Sequence, residues 1–468
     1  MYKDRIEEYF DTHKEEMLED ISKLIRINSI KGEAKEGMPF GEGPAKALEE
    51  ALKIADGMGF KTKNYDNYVG TVDLNDKEKG LDILGHLDVV PVSDEWTITG
   101  PFEPLIQDGK LYGRGSSDDK GPSVVALYAL KAVKDLNIPL NKNARLILGT
   151  DEESGSGKEL EHYYGIEKEA PMTFSPDAEF PVINIEKGGF KPTFKASFKE
   201  DEKLPRIISI DSGVKINVVP DKAYAVIEGM EKDEVEQYCK KKLEGTDATY
   251  KVDEKEDKVN LFIRGVGAHA ASPEEGNNAL TLIIDILTSM PFADSEGFTK
   301  LKAVNELLPH GDYNGRNLGI SLKDEISGEL TLSFTIFKYT LDFIEGRFDV
   351  RSPICATKEN MIDVAVRSFK DKGFDLIDTK MNPPHHVDEN SEFIKILLNC
   401  YEKYTGQKGK CLAIGGGTYV HEIENGVAFG CSMPGTNNNM HGDNEFAVID
   451  ELVTSAKIFT EAIIQICK

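Results

Sequence analysis

A histidine and an aspartate two residues apart follow an apolar stretch, in Gly85-His86-Leu87-Asp88-Val89-Val90-Pro91. Residues 81–87 predict a buried strand that runs into a loop. Because residues i and i+2 of a strand project from the same face, His86 and Asp88 can meet. A carboxylate that accepts the second N–H of a metal-binding histidine fixes its tautomer and raises the basicity of the other nitrogen. Alone, this tripeptide is most often a strand-end histidine beside a solvated aspartate, so a metal site requires further ligands nearby.

Carboxylates follow two other predicted strands. Residues 151–153, Asp-Glu-Glu, come directly after the buried strand 145–150, and Asp177 follows the short strand 172–175. Three successive carboxylates repel one another unless cations compensate them. In open α/β sheets, binding sites lie outside the carboxyl ends of the strands. Both positions are therefore candidates for metal ligands.

Two polar loops supply further candidates. The glycine-rich segment 113–122 contains Asp118 and Asp119, but it lacks the Gly-Lys-Ser/Thr ending of a phosphate loop. Two aspartates before a Gly-Pro helix start are equally compatible with a helix cap. His441 lies in the polar loop 440–445, before the last predicted helix. On the residues alone, Asp118 and Asp119 remain candidates either for metal ligands or for a helix cap.

Histidine and carboxylate ligands without cysteine suit Zn²⁺, Mn²⁺ or Co²⁺. A two-metal site requires about four terminal ligands and one bridging carboxylate, with the ions ~3.5–4 Å apart. Each candidate alone has an ordinary structural explanation, but their joint placement at strand ends favours a shared site. The set that supplies this count, with Glu152 left over as a base, is His86, Asp118, Glu153, Asp177 and His441.

The length and charge of the chain limit its function classes. Its 468 residues predict two or three domains. The formal charge is −26, from 56 basic and 82 acidic residues. Such an acidic surface argues against binding to nucleic acid or to an anionic membrane, because those partners require Lys and Arg. We therefore expect neither partner, and the charge suits an enzyme that binds cations.

The six cysteines are scattered without a Cys-x-x-Cys pair. They predict reduced, mostly buried thiols and neither a zinc–thiolate site nor a disulfide framework. The charged N-terminal segment lacks the apolar region of a secretory signal. No apolar run approaches the length of a membrane span. These features predict a cytoplasmic protein.

The first third of the chain alternates predicted strands with predicted helices, which favours a sheet with parallel strands covered by helices on both faces. After residues 187–189 the pattern changes to short alternating strands with two strand–helix units, at 223–243 and 347–370. Apolar helices return beyond Asn382, at 393–404 and 452–467. The change in pattern predicts that a second domain is inserted into the first.

The fold class predicted from this pattern is α/β. Residues 1–186 and 382–468 are expected to form a domain with a mixed, mainly parallel central sheet flanked by helices. Residues 187–381 are expected to form a large inserted α+β domain. We expect two similar, ferredoxin-like halves within this insert, although no sequence repeat marks them.

Four motifs, taken in chain order, resemble those of the co-catalytic metallopeptidases, the family that includes carboxypeptidase G, aminoacylase and carnosinase. The resemblance runs from the first helix to the last loop, and the length and large insert are most similar to PepV-like bacterial dipeptidases. The motifs are Gly-His-Leu-Asp-Val-Val-Pro, Gly-Arg-Gly-Ser-Ser-Asp-Asp-Lys-Gly-Pro, Asp-Glu-Glu-Ser-Gly-Ser and Ser-Pro-Asp-Ala-Glu-Phe-Pro.

The resemblance implies a role for each ligand candidate. One metal ion would be held by His86, Asp118 and Asp177, and the other by Asp118, Glu153 and His441. The family spacing Gly-Arg-Gly-x-x-Asp identifies Asp118 as the bridging ligand.

The resemblance also implies roles for the carboxylates beside these ligands. Glu152 would be the general base, and Asp88 would be the partner of His86. Asp119 would be structural, and the Asp118–Asp119 peptide bond would be cis.

The insert carries residues that the family uses for substrate. His269 lies among small residues in Gly-Ala-His-Ala, and on the residues alone a loop histidine is the plainer interpretation. The resemblance implies that His269 reaches over the cleft and donates to the developing oxyanion. It also implies that Asn217 and Arg351 bind the terminal carboxylate of the substrate, which suits the bidentate fork of arginine.

A glycine run near the C-terminus, at 415–419, would place backbone N–H groups against the substrate, through Gly416, Gly417 and Thr418. One position departs from the PepV-like pattern, because His421 stands where those chains usually carry an arginine. This departure affects the expected substrate preference but not the chemistry. The pair His385-His386 is interpreted as surface or hinge, since the ligand positions are already filled.

The resemblance implies that the protein would be a metal-dependent dipeptidase acting on unblocked dipeptides. We expect two divalent ions per chain, with Zn²⁺ preferred and Mn²⁺ or Co²⁺ as alternatives. A lid formed by the insert would restrict access to short peptides, and the protein would act as a monomer. Two alternatives remain: an N-acyl-amino-acid or N-succinyl amidase of the same family, and a non-catalytic metal-binding protein.

Overall fold

The computed structural model describes residues 2–200 and 202–468 and separates into two compact units. The first unit contains Met1–Glu186, His386–Leu412 and Gly417–Lys468, and the second contains Lys187–His385 and Ala413–Gly416. Among the described residues, no helix combines the length and the apolar character needed to cross a membrane.

The predicted helices 393–404 and 452–467 are observed with small shifts of their ends, whereas two helices of the second unit, Ala279–Thr288 and Glu296–Leu307, were not predicted from the sequence. The α-helices are α1 Lys3–Ile25, α2 Glu42–Gly57, α3 Lys120–Asp135, α4 Lys158–Tyr164, α5 Lys232–Leu243, α6 Ala279–Thr288, α7 Glu296–Leu307, α8 Asp363–Asp371, α9 Glu392–Thr405 and α10 Ile449–Cys467, with a 3-10 turn at Pro273–Glu275 and a π-helical turn at Lys358–Ile362.

Most strands are short, and the two longest lie in the second unit. Those before residue 200 are β1 Lys61–Tyr65, β2 Val69–Asp73, β3 Lys79–His86, β4 Leu105–Gln107, β5 Lys110–Tyr112, β6 Asn143–Gly149, β7 Thr173–Ser175, β8 Ala178–Glu179, β9 Val182–Glu186, β10 Gly188–Phe190 and β11 Thr193–Ser197. The later strands are β12 Arg206–Ser212, β13 Val218–Val219, β14 Lys222–Glu228, β15 Thr249–Lys255, β16 Lys258–Arg264, β17 Ala268–His269, β18 Lys323–Asp324, β19 Gly328–Glu329, β20 Thr331–Tyr339, β21 Phe343–Ser352, β22 Asp375–Ile377, β23 His385–His386, β24 Cys411–Ile414, β25 Gly426–Ala428, β26 Cys431–Ser432 and β27 Phe446–Val448.

The first unit is built on a mixed sheet with the strand order β1-β2-β6-β3-β7-β25-β9. The central strands β6, β3, β7 and β25 run parallel, whereas β1, β2 and β9 are antiparallel to their neighbours. Alternate residues of β3 face opposite sides, so that Ile83 packs in the large core with α3 and α10 and Leu84 packs beside Tyr163 of α4. The predicted α/β class, with helices on both faces of a mixed sheet, is confirmed.

Helix α3 begins directly after the segment that carries the two adjacent aspartates. Pro122 lies in its first turn, where the missing N–H leaves no intrahelical hydrogen bond unmade. A side chain at Gly121 would place its Cβ 2.0 Å from the carbonyl oxygen of Ser116. Glycine at this position therefore allows the aspartate loop to fold back onto the start of the helix.

The second unit contains an antiparallel sheet with the order β15-β16-β14-β12-β20-β21-β11-β22. Four helices, α5 to α8, share one hydrophobic core with one face of this sheet. Helix α5 packs against β15, and α6 packs against β14, β16 and β20, while α7 contacts β21 and α8 contacts β22. The β12–β20 pair joins the first four strands and the last four strands of this order into one sheet.

Candidate metal centre

His86 ends strand β3 and is fully buried. Its Nε2 atom lies 3.1 Å from Asp118 Oδ1 and 3.5 Å from Asp177 Oδ2. On the other side of the ring, Nδ1 lies 3.1 Å from the backbone oxygen of Asp88 and 3.5 Å from its carboxylate. The ring therefore presents Nε2 to two carboxylates, and its Nδ1 position is occupied by Asp88.

The carboxylate of Asp88 also has a second task that the sequence did not indicate. Its two oxygens accept the backbone N–H groups of Glu152 and Glu153, each at 3.1 Å. Asp88 thus positions the start of the acidic segment after β6 as well as the ring of His86.

Asp118 lies between the two predicted histidine ligands. Its Oδ1 faces His86, and its Oδ2 lies 2.8 Å from Nε2 of His441. The same His441 nitrogen lies 3.3 Å from Glu153 Oε2. The structure thus brings together the residues of each predicted ligand set, with Asp118 at the position shared by both.

The donor set fits divalent cations. Among the described residues, His86 Nε2 and Glu153 Oε1 are buried and have no hydrogen-bond partner. Two groups, His86–Asp118–Glu153 and His86–Glu152–Asp177, each place their ligand atoms within 4.8 Å of one another. Buried carboxylates and an imidazole nitrogen at such distances are the oxygen and nitrogen ligands that these cations prefer.

The pKa values of the carboxylates in the cluster also indicate a site for cations. Burial raises the pKa of Glu152 well above its ordinary value, and the charges of Asp177 and Asp118 raise it further against the opposing effect of His86. Burial and Asp118 also raise the pKa of Glu153 and of Asp177. Because their negative charges repel one another, these clustered carboxylates are ionised together only when cations compensate their charge.

The two histidines respond to these carboxylates. Burial lowers the pKa of His86, but the neighbouring carboxylates of Asp118, Asp177 and Asp88 leave that pKa well above its ordinary value. Asp118 and Glu153 raise the pKa of His441 to about 10. Burial raises the pKa of Asp118, yet His441 and His86 bring it below its ordinary value.

Asp119 is fully buried, and its hydrogen bonds are made outside the set of predicted ligand atoms. Its Oδ2 accepts the N–H of His86 and the hydroxyl of Ser123, both at 2.9 Å. It therefore connects the end of β3 to the start of α3, in agreement with a structural role. The Asp118–Asp119 peptide bond is cis.

Of the predicted substrate residues in the second unit, Asn217 and His269 are neighbours. His269 pairs with Val218 across β13 and β17, and the backbone oxygen of Asn217 accepts the N–H of Ala270 at 2.9 Å. The imidazole of His269 is exposed, and its Nδ1 accepts the N–H of Ala271 at 3.1 Å. This hydrogen bond places the ring proton of the neutral imidazole on Nε2.

Arg351 lies on β21, in the large sheet of the second unit. Its Nε and Nη2 donate to the two oxygens of Asp349 at 2.8 and 2.9 Å, and its Nη1 donates to the backbone oxygen of Gly415 at 2.7 Å. Asp349 is fully buried and was not predicted from the sequence. Because residues i and i+2 of a strand project from the same face, the spacing of Asp349 and Arg351 could have indicated this pair.

The glycine run is divided between the units, with Gly416 in the second and Gly417 in the first. Within the first unit, the buried carboxylate of Glu186 accepts the hydroxyl of Thr418 at 2.5 Å and lies 2.8 Å from Nδ1 of His421. Glu186 was not predicted as a site residue. At Gly416 an added Cβ would meet nothing within 4 Å, so the fold itself does not require glycine there.

Comparison with known proteins identifies the family. The sequence profile of peptidase family M20/M25/M40 matches residues 83–465. The chain belongs to this family. A relative in Bacillus subtilis (strain 168), provisionally named dipeptidase YtjP, is 36% identical over 464 residues, which cover 97% of this chain and 98% of the relative.

Two further proteins extend the comparison. The Beta-Ala-Xaa dipeptidase of Lactobacillus delbrueckii subsp. lactis is 33% identical over 470 residues, covering 98% of each chain. The crystal structure of human carnosine dipeptidase 1 has the same fold, with a TM-score of 0.59 at 15% identity over 100% of this chain and 99% of the other. The predicted family and the predicted enzyme class, a peptidase, are therefore confirmed.

Proposed function

We propose that this M20 peptidase is a two-metal dipeptidase that hydrolyses the peptide bond of unblocked dipeptides. The observation that carries the proposal is the convergence of His86, Glu153, Asp177 and His441 around Asp118, with Glu152 in the same buried cluster. The dipeptidase names of two full-length relatives support the choice of substrate class.

The residues of the cluster divide into two ligand sets. His86, Asp118 and Asp177 would hold one ion, and Asp118, Glu153 and His441 would hold the other. We propose Zn²⁺ as the native metal, although Mn²⁺ and Co²⁺ accept the same oxygen and nitrogen ligands. Divalent ions in such a site lower the pKa of a water molecule and polarise the substrate carbonyl.

Glu152 would be the general base. Its carboxylate would accept the proton of the attacking water and return it to the leaving amine. Burial favours its protonated form, which suits a group that must accept and then release a proton. Asp88 supports this role because it accepts the N–H of Glu152 and so fixes the backbone from which the base projects.

The inserted domain, residues 187–381, would act as a lid and would supply the groups that recognise the substrate. His269 would donate from Nε2 to the oxyanion, since its Nδ1 already accepts a backbone N–H. Arg351, with Asn217, would bind the terminal carboxylate. Asp349 holds the guanidinium of Arg351 by two hydrogen bonds and so fixes its plane in advance.

In the first unit, the backbone N–H groups of Gly417 and Thr418 would contact the substrate, together with Gly416. The buried carboxylate of Glu186 supports this segment through Thr418 and His421. We further propose a cytoplasmic monomer, on the basis of the acidic surface and the scattered cysteines.

The proposal is tested by a turnover screen of the apoenzyme after Zn²⁺, Mn²⁺ or Co²⁺ is added back. Unblocked dipeptides, N-acetyl and N-succinyl amino acids, and tripeptides are compared at equal concentration. Hydrolysis confined to unblocked dipeptides is the expected result. Turnover of the N-acyl amino acids with no need for a free amino group would identify an amidase, and no turnover of any substrate with any metal would favour the non-catalytic alternative.

A further inference from the structure

Arg114 and Glu445 form a buried ion pair next to the metal centre. Their side chains are 2% and 0% exposed, and Arg114 Nη1 donates to Glu445 Oε2 at 2.6 Å. Taking two charges out of water is costly, and such a pair persists only when further hydrogen bonds satisfy both partners. Neither residue belongs to the ligand sets proposed above.

The further hydrogen bonds of Glu445 all come from the segment that ends in Asp118. Its Oε1 accepts the backbone N–H groups of Gly115 at 3.1 Å, of Ser117 at 3.0 Å and of Asp118 at 3.3 Å. One carboxylate oxygen thus fixes the backbone immediately before the side chain shared by both ligand sets.

Arg114 makes a second hydrogen bond, to the segment that carries His441. Its Nη2 donates to the backbone oxygen of Gly442 at 3.0 Å, one residue after His441. Arg114 itself lies in the aspartate segment, and Glu445 lies in the histidine segment. The pair therefore links the two segments twice, once through each partner, and we call it the Arg114–Glu445 clamp.

The strand pairing beside the clamp explains how the two segments come together. Strands β5 and β27 are antiparallel, with Tyr112 opposite Phe446. The segment that follows β5 and the segment that precedes β27 therefore leave the pair side by side. His441 itself has φ 62° and a side chain that is 57% exposed, so its orientation depends on this loop.

We infer that Arg114 and Glu445 are positioning residues that set the distance between Asp118 and His441. The inference rests on the proposed function in one respect, that these two ligands share a metal ion. The ion held by His86 and Asp177 depends less on the clamp, because His86 ends a central strand and also donates its N–H to Asp119.

The test measures Zn²⁺ binding to the apoprotein by competition with a chromophoric chelator, in wild type and in Glu445→Gln. We expect one ion to remain tight and the second to bind about 10–100-fold more weakly, the range typical of residues that orient metal ligands. Excess Zn²⁺ should restore dipeptide turnover with an unchanged KM. Two equally tight ions in Glu445→Gln would overturn the inference.

Glu451→Gln is the matched control. Glu451 accepts the N–H of Met433 at 3.1 Å and the hydroxyl of Thr436 at 2.6 Å, so it anchors the start of the loop between β26 and β27, whereas the clamp anchors the end of this loop, next to His441. It should bind two ions as wild type does. Equal weakening of the second ion in both variants would overturn the inference, because it would indicate a general effect on stability.

A second variant covers the case in which Glu445→Gln does not fold. Arg114→Lys retains the charge beside Glu445 but cannot reach Gly442 with a second donor of the same fork. It should show the same selective loss of the second ion, and unchanged binding would overturn the inference. If wild type itself binds fewer than two ions, the two-metal proposal fails, whereas a normal wild type with an unaffected variant contradicts only the clamp.

Discussion

The metal centre and the predicted substrate groups are built in different ways. In the first unit, ligands from five separate segments meet within a few ångströms in a mostly buried place. In the second unit, His269 is exposed on a two-residue strand, and Arg351 lies in another sheet with Asp349 as its partner. The first arrangement is preformed and could hold metal, whereas the predicted substrate groups of the second would act together only when a substrate is bound. Mutations in the two regions should therefore differ in their effects on metal content and on the kinetic constants.

The largest effect is expected from Glu152→Gln. Turnover should fall by ~10²–10⁴-fold, the usual contribution of a general base, while metal content stays near that of wild type. Initial rates with a dipeptide and metal analysis of the same sample check this prediction. Activity above roughly a percent of wild type would contradict the role of Glu152.

His269→Ala should have the next largest effect, on kcat and not on metal. Loss of one oxyanion donor costs ~10²–10³-fold in kcat, and the histidine lies outside the metal cluster. Steady-state kinetics and metal analysis of the same sample would separate an effect on kcat from an effect on metal content. A lowered metal content in this variant would contradict the division between the two regions.

Glu153→Gln is the counterpart of Glu152→Gln, one residue along the chain. It should weaken metal binding, because the Glu153 carboxylate lies 3.3 Å from His441 Nε2 and an amide is a poorer ligand. Activity should recover as metal is added in excess. Metal binding equal to that of wild type would show that Glu153 is not a ligand.

Mixing two inactive variants tests whether the second unit serves its own chain. Glu152→Gln mixed with His269→Ala should regain no activity if one chain holds a complete site. Recovery approaching roughly a quarter of wild type, as random pairing in a two-fold dimer gives, would mean that His269 acts on a neighbouring chain. The proposed monomer would then be wrong.

The smallest effect is expected from His421→Arg. Either side chain can donate to the buried carboxylate of Glu186, which lies 2.8 Å from His421 Nδ1. The ratio kcat/KM for dipeptides should change by less than about tenfold, or ~1.4 kcal/mol, with metal content unchanged. A comparison across several dipeptides checks this prediction, and a complete loss of activity would contradict it.

The elements that carry the site could be predicted from the sequence because their signals are local. The apolar run that ends at His86 and the acidic segment 151–153 each mark the end of a buried strand. The residue types at those ends then specify a metal site, and the family motifs identify Asp118 within a pair of adjacent aspartates.

The partners that orient these ligands could not be predicted in the same way. Arg114 and Glu445 are 331 residues apart in the chain, and only the pairing of β5 with β27 brings them together. Glu186 is likewise 235 residues from His421. No local pattern indicates such pairs, because each charged residue alone has the appearance of a solvated side chain.

An anomalous-diffraction experiment on crystals grown with Zn²⁺, with data collected at the zinc edge, tests the proposed two-metal site most directly. We expect two anomalous peaks per chain, ~3.5–4 Å apart, with Asp118 bound to both ions. His86 and Asp177 should bind one ion, and Glu153 and His441 the other. A single ion, or a bridge formed by Asp119 instead of Asp118, would contradict the proposed two-metal site.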